Sequence, residues 1–443
     1  MLQEGRRLFG TDGIRGVANT ELTPDFAMRL SRAAGEALSY GPVVVGRDTR
    51  RSGEMLSSAL QAGFHSVGID TVDVGVLPSG GVAHLTGATG AMLGAIVSAS
   101  HNPASDNGIK LLGSSGAKLT DAEEDDIEAR LRDSRPFNVA VGEAVGTRYL
   151  NTDASSAYLE FLIGLSEYSF RGLSVVLDCA NGSAYQTAPQ LFERLKADVT
   201  VLAADPDGTN INDGVGATSP GFLAGEANGR IGLAFDGDAD RLIAVDENGV
   251  PANGDVIMAV IARHLHERGR LRNDTVVATV MSNLGFRKAM DAIGVTLVQT
   301  QVGDRYVLQG LREHGATFGG EQSGHVIFLD DLVTGDGLLT ALRLLEVVAA
   351  SGRRLADLRR EVITEYPQIL RNVRVADTSG LADSEAIWAA VERVESDLHG
   401  DGRVLVRASG TEPLVRVMVE ASTKEDAAAI ADDLINVVRA ELS

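Results

Sequence analysis

Pro42-Val43-Val44-Val45 runs straight into Gly46-Arg47-Asp48, and this junction of an apolar run with a polar loop decides the fold class. Four successive residues without a charge read as a strand buried on both faces. The junction recurs where residues 173–177 meet Asp178-Cys179-Ala180-Asn181-Gly182, and where 275–280 meet Met281-Ser282-Asn283. Between these runs lie helical patterns at 25–38, 188–195 and 256–266. Alternating strands and helices predict sheets that are mixed but mostly parallel, with helices on both faces, in three similar α/β domains. In such sheets ligands gather at the carboxyl ends of the strands, where these polar loops lie.

The tail has another rhythm. Residues 384–398 and 424–442 read as helices, and 404–406 and 415–419 as strands, so the C-terminal segment predicts a smaller α+β domain. Boundaries near 150, 255 and 367 follow, giving domains 1–150, 151–255, 256–367 and 368–443. The length, 443 residues, is too great for one core.

Forty Lys and Arg against 61 Asp and Glu give a net charge of −21, which repels nucleic-acid phosphates and anionic membranes. No basic run offsets this, so neither nucleic acid nor membrane is expected as a partner. No stretch is long and apolar enough to span a bilayer, and the first residues carry no apolar signal core. The one cysteine, Cys179, ends an apolar run and reads as a buried thiol in a reducing cytoplasm.

Asp236-Gly237-Asp238-Ala239-Asp240-Arg241 follows an apolar strand at 231–235. Three carboxylates at alternate positions converge on one hard cation when the backbone loops around it, and repel one another when it is absent. A calcium loop of the helix–loop–helix type is a rival, but its sixth position, which needs Gly, is Arg241. The flanks also read as strands. Oxygen donors without His or Cys select Mg²⁺ over Zn²⁺ and leave coordination positions for phosphate oxygens.

Ser98-Ala99-Ser100-His101-Asn102-Pro103 ends the strand-like run 92–97. Ser100 alone reads as a turn residue; beside the acidic trio it can be a serine whose phosphate completes a metal shell. No G-x-S-x-G elbow and no Walker A loop occurs, which disfavours a hydrolase triad and a nucleotide donor. Arg407-Ala408-Ser409-Gly410-Thr411-Glu412-Pro413-Leu414-Val415-Arg416 combines two guanidiniums, two hydroxyls and a glycine, which suits a phosphate monoester as well as it suits an ordinary hairpin turn with an exposed arginine. Gly319-Gly320-Glu321-Gln322-Ser323-Gly324-His325 reads as a glycine-rich turn after a strand at 316–318, presenting groups suited to a polyol or amino sugar.

Together with Phe9-Gly10-Thr11-Asp12-Gly13-Ile14-Arg15-Gly16, these stretches resemble the α-D-phosphohexomutase family, in its order and over nearly the whole chain. The resemblance is nearest to the branch that handles glucosamine phosphates. It implies four domains around a central cleft, the last similar to the TATA-binding-protein fold. It implies interconversion of glucosamine 6-phosphate and glucosamine 1-phosphate through a 1,6-bisphosphate, feeding UDP-N-acetylglucosamine and cell-wall precursors; phosphomannomutase/phosphoglucomutase activity is the alternative. By motif, Ser100 matches the phosphoserine and, with Asp236, Asp238 and Asp240, the shell of one Mg²⁺. Glu321, Ser323 and His325 match the sugar loop. Arg407, Ser409, Gly410, Thr411 and Arg416 match the phosphate loop. Arg15, His101, Lys110 and Arg241 match cleft positions, and Lys110 or His325 can act as acid or base. An activating kinase and a homodimer are compatible with this resemblance. A calcium- or sugar-phosphate-binding protein without turnover is the non-enzyme alternative.

Overall fold

The computed structural model describes residues 7–10, 12–38, 41–408 and 414–442. The apolar junction at 43–48 lies in a six-stranded sheet built from β1 (Ile14–Val17), β2 (Val43–Arg47), β3 (Thr71–Val76), β4 (Leu93–Val97), β5 (Asp106–Gly113) and β6 (Arg148–Leu150). Their order is β1-β5-β4-β2-β3-β6. β2 runs parallel to β3 and β4, whereas β5 is antiparallel to both β1 and β4. Val43 and Val45 share a core with Phe26, Leu30, Leu56 and Phe64 of helices Pro24–Leu38 and Arg51–Ser66. Val44 alternates to the other face, on the side of helix Ser79–Ala88. Burial on both faces explains the unbroken apolar run.

The second sheet contains β7 (Ser174–Asp178), β8 (Asp198–Leu202), β9 (Ile231–Phe235), β10 (Leu242–Val245) and β11 (Pro251–Ala252), in the order β11-β10-β9-β7-β8. β9 and β10 pair antiparallel, so the acidic stretch is the turn of a hairpin between strands. The third contains β12 (Thr275–Thr279), β13 (Thr296–Thr300), β14 (Phe318–Gly320) and β15 (Val326–Phe328), in the order β13-β12-β14-β15.

Two local readings differ from the sequence expectation. Helix Ala184–Arg194 begins four residues earlier than its pattern and carries Pro189 inside. Gly319 and Gly320 belong to β14 rather than to the turn after it. A Cβ at Gly319 would lie 2.2 Å from Val277 O of β12, so only glycine permits this strand pairing.

The chain divides into two units by its packing. One holds the described residues up to Met281 with Val295–Glu361, and the other holds Ser282–Gly294 with the described residues from Val362 onward. In the second unit, β16 (Gln368–Arg374), β17 (Arg403–Ala408) and β18 (Leu414–Glu420) form an antiparallel sheet in the order β16-β18-β17. Helices Glu385–Asp397 and Lys424–Leu442 bury Ile387, Ala390, Leu434 and Val438 in a core with Val415, Val417 and Val419. This is the expected small α+β domain, with β16 a third strand that the sequence pattern did not reveal. Among the described residues no helix is long and apolar enough to cross a membrane.

Candidate active site

Ser100 follows β4 directly and adopts φ +50°, the left-handed region that a side chain seldom occupies. Its main chain is pinned from three sides. The buried Arg50 guanidinium donates to Ser100 O (2.8 Å), Asn102 O (2.9 Å) and Pro103 O (2.5 Å). Asn212 Nδ2 donates to Ser100 O (2.9 Å) and Asn102 O (3.1 Å). Ser100 N–H donates to Ser98 Oγ (2.9 Å), and Ser98 Oγ to Asp48 Oδ2 (2.6 Å). Arg50 Nε closes the network onto the same Asp48 oxygen (2.8 Å). The hydroxyl at 98 thus has a structural task. Arg50, Asp48 and Asn212 were not anticipated as site residues; the polar loop Gly46-Arg47-Asp48 was the one local signal.

That clamp aims Ser100 Oγ at the β9–β10 turn, where it donates to Asp236 Oδ2 at 2.6 Å. Gly237 permits the approach, because a Cβ there would stand 2.5 Å from Ser100 O. Asp236, Asp238 and Asp240 are all buried, and one carboxylate oxygen from each lies within 4.8 Å of the others. Burial and then its two acidic neighbours push the Asp236 carboxyl well above its usual range. Asp238 Oδ2 accepts from Ser79 Oγ and Lys110 Nζ, both at 2.8 Å, while buried Asp238 Oδ1 and Asp240 Oδ1 have no hydrogen-bond partner among the described residues. Orphaned oxygens on converging carboxylates fit a hard divalent cation.

Three cations surround the acids. Lys110, buried on β5, reaches Asp238 (2.8 Å), Asp12 (3.0 Å) and Asp240 (3.2 Å). Burial opposes its charge, but the three carboxylates outweigh that and hold it well above the usual lysine range. Arg241 Nη1 donates to His101 Nδ1 at 3.1 Å, and that nitrogen lies 3.3 Å from Ser100 Oγ. Burial, with Arg241 and Arg15 nearby, pushes the His101 imidazole down to about 4, so it is neutral near pH 7. Arg15 pairs with Asp12. Glu321 accepts from Gly303 N–H (3.1 Å), and burial raises its carboxyl. His325 is buried, with Nε2 3.8 Å from Asp304 Oδ2; its ring occupies space that a Cβ on Gly335 would fill. Ser323, by contrast, is exposed.

In the second unit, Arg407 of β17 and Arg416 of β18 are directly opposed register partners. Two guanidiniums facing each other across a sheet repel, and burial followed by Arg416 lowers the Arg407 pKa. Among the described residues, buried Arg416 Nε has no hydrogen-bond partner. An anion bridging the pair would relieve both defects. Ser409, Gly410 and Thr411 lie outside the described residues.

Four family models match the chain in succession. They describe phosphoglucomutase/phosphomannomutase α/β/α domain I at 6–136, domain II at 156–249, domain III at 253–366 and the C-terminal domain at 370–437. The phosphoglucosamine mutase of Halalkalibacterium halodurans is 48% identical, with 98% of this chain and 99% of that protein covered. That of Bacillus subtilis is also 48% identical, over 98% of this chain and 99% of that one. A crystal structure of a phosphoglucomutase/phosphomannomutase family protein from Burkholderia thailandensis superposes with a TM-score of 0.82 at 27% identity, covering 98% of this chain and 97% of the other. With identity near one half sustained along both chains and each domain recognised in order, the chain belongs to the phosphoglucomutase/phosphomannomutase family of α-D-phosphohexomutases.

Proposed function

We propose that this chain interconverts glucosamine 6-phosphate and glucosamine 1-phosphate through a phosphorylated Ser100 and a 1,6-bisphosphate. The observation that carries this reading is the 2.6 Å contact between a clamped, left-handed serine hydroxyl and a buried acidic trio with orphaned oxygens. The relatives at 48% identity support glucosamine phosphate as the substrate.

In the forward step the bond between Ser100 Oγ and phosphorus breaks, and the sugar hydroxyl oxygen forms its own bond to that phosphorus. The hydroxyl proton passes to a base of the chain. After the bisphosphate turns round, the other phosphoryl group returns to Ser100. Asp236, Asp238 and Asp240, with the phosphate on Ser100, would hold one Mg²⁺, which when bound supplies neutralising charge to the phosphoryl group in transfer. Arg241 and neutral His101 orient donors beside Ser100. His325 takes the hydroxyl proton, whereas Lys110, held as an ammonium by Asp12, Asp238 and Asp240, can return a proton but not accept one. Glu321, Ser323 and His325 bind the sugar, assisted by Arg15. Arg407, Ser409, Gly410, Thr411 and Arg416 grip the phosphate that is not reacting. The domain division at 150, 255 and 367 places one such loop in each domain. The same reading leaves first loading of Ser100 to an activating kinase or to a bisphosphate, is compatible with a homodimer, and sets the chain in the reducing cytoplasm, in keeping with buried Cys179.

The test is a coupled mutase assay with Mg²⁺ and a trace of bisphosphate, comparing kcat/KM for glucosamine, glucose and mannose 6-phosphates. The highest value is expected for glucosamine; a higher value for mannose or glucose transfers the reading to that sugar. Intact mass before and after phosphatase reports phosphoserine and separates an enzyme from a plain binding protein.

Two further results are expected. Asp240→Asn raises the Mg²⁺ concentration for half-maximal rate by about 10–100-fold, the cost typical of a weakened metal site. An unchanged Mg²⁺ dependence removes Asp240 from the shell. Arg416→Ala raises KM by about tenfold with a smaller change in kcat, the signature of lost binding rather than lost chemistry. An unchanged KM removes Arg416 from the phosphate grip.

A further inference from the structure

Lys118 is a buried cation that the mechanism above leaves without a task. It follows β5, where the chain turns back and Lys118 bridges antiparallel to Leu112. Gly116 makes that turn possible at φ +81°, and a Cβ there would also meet Ala83 O at 2.3 Å. The turn delivers Lys118 Nζ between two carboxylates, 2.5 Å from Asp12 Oδ1 and 2.6 Å from Asp304 Oδ2.

Each carboxylate leads to a different part of the site. The second oxygen of Asp12 lies 3.0 Å from Lys110 Nζ, which in turn contacts Asp238 and Asp240. Asp304 stands beside His325 Nε2 at 3.8 Å, and it follows Gly303, whose N–H holds Glu321 Oε1 at 3.1 Å. Lys118 is therefore the middle of an ordered series running from the Glu321/His325 loop through Asp304, Lys118, Asp12 and Lys110 to the acidic trio. Without its charge, Asp12 and Asp304 are like charges packed together, and each disfavours the ionised form of the other.

We propose that Lys118 is a positioning residue of the phosphoryl-transfer site: its ammonium, shared by Asp12 and Asp304, fixes Lys110 and the sugar loop at their working separation. The inference rests on the function proposed above, because it needs Lys110 and the Glu321/His325 loop to act on one substrate. Lys118 itself meets no substrate in this account; its Nζ bridges Asp12 and Asp304. Its loss displaces groups that do, and small displacements of reacting groups are costly in rate.

The experiment compares wild type with Lys118→Met, Lys118→Arg and Ser100→Ala, measuring kcat, KM and melting temperature with glucosamine 6-phosphate. Lys118→Met is expected to lower kcat by about 10–100-fold while KM changes less than about threefold, and Lys118→Arg, which can still bridge two carboxylates, to recover most of that loss. Lys118→Met with wild-type kcat overturns the inference, as does a raised KM with kcat intact, which would make Lys118 a substrate contact. A loss that Arg does not recover also overturns it. If Lys118→Met fails to fold, Asp304→Asn removes one arm of the bridge; a kcat equal to wild type in that variant is the overturning result. Wild-type turnover with dead Ser100→Ala leaves the parent reading standing whatever Lys118 does. Absence of wild-type turnover defeats that reading, and this inference with it.

Discussion

Ser100→Ala is expected to lower mutase turnover by at least about 10³-fold, because it removes the hydroxyl that carries the phosphoryl group. The fold is expected to survive. Arg50 and Asn212 bind the main chain at position 100, not its side chain, so the clamp on Ser100 O and Asn102 O is retained in alanine. What is lost is the hydrogen bond to Asp236 Oδ2 and the longer contact with His101 Nδ1, a cost on the order of 1 kcal/mol. The measurement is paired: steady-state turnover of glucosamine 6-phosphate, and intact mass showing that the variant never carries a phosphoryl group. The melting curve should stay within a few degrees of wild type, as such a small cost implies. Full turnover by the purified variant would defeat the covalent scheme. A variant that stays inactive yet is still phosphorylated would move the donor to another residue.

The contrast between Ser100 and Arg50 shows what a sequence exposes and what it hides. Asp236, Asp238 and Asp240 are legible because their convergence is local, a hairpin turn between two apolar strands. Ser100 is legible because its loop terminates such a strand. Arg50 is as buried and as closely engaged with that loop, but its partners on the loop lie 50 to 53 residues away. Near Arg50 in the chain, only the polar loop ending at Asp48 sets it apart from a surface arginine. Lys118 is hidden for the same reason, its carboxylates being supplied by residues 12 and 304. The α/β class was legible because burial on both faces writes unbroken apolar runs such as 43–45. β14 was misplaced because Gly319 and Gly320 carry a turn signal locally and a close-packing role only against Val277. β16 was missed because Gln368, Arg371, Asn372 and Arg374 interrupt its apolar pattern, and its partial exposure tolerates them.

Arg403→Met is expected to destabilise the second unit by about 3–5 kcal/mol, the cost of stranding a buried charge. Arg403 and Glu420 are register partners on β17 and β18, and Glu420 is wholly inaccessible. The pair is bidentate, Nε to Oε2 at 2.7 Å and Nη2 to Oε1 at 3.2 Å. The guanidinium also donates to Ser282 O at 2.5 Å, and Glu420 accepts from Leu284 N–H (2.8 Å) and Gln368 Nε2 (2.9 Å). One ion pair thus ties residues 282–284 to the C-terminal sheet. Methionine fills comparable volume but leaves the Glu420 carboxylate with neutral donors alone. Trp388 is the only tryptophan of the chain and lies in the helix Glu385–Asp397 of this unit, so its fluorescence during urea unfolding reports the loss. Adding Glu420→Gln to Arg403→Met is expected to return part of the stability, because the neutral amide keeps an acceptor for Leu284 N–H without a buried charge. Buried charge, not lost packing, is then the cause. A single variant that loses under about 1 kcal/mol, or a double variant worse than the single, would show that Glu420 is stabilised by its neutral donors and that Arg403 is dispensable.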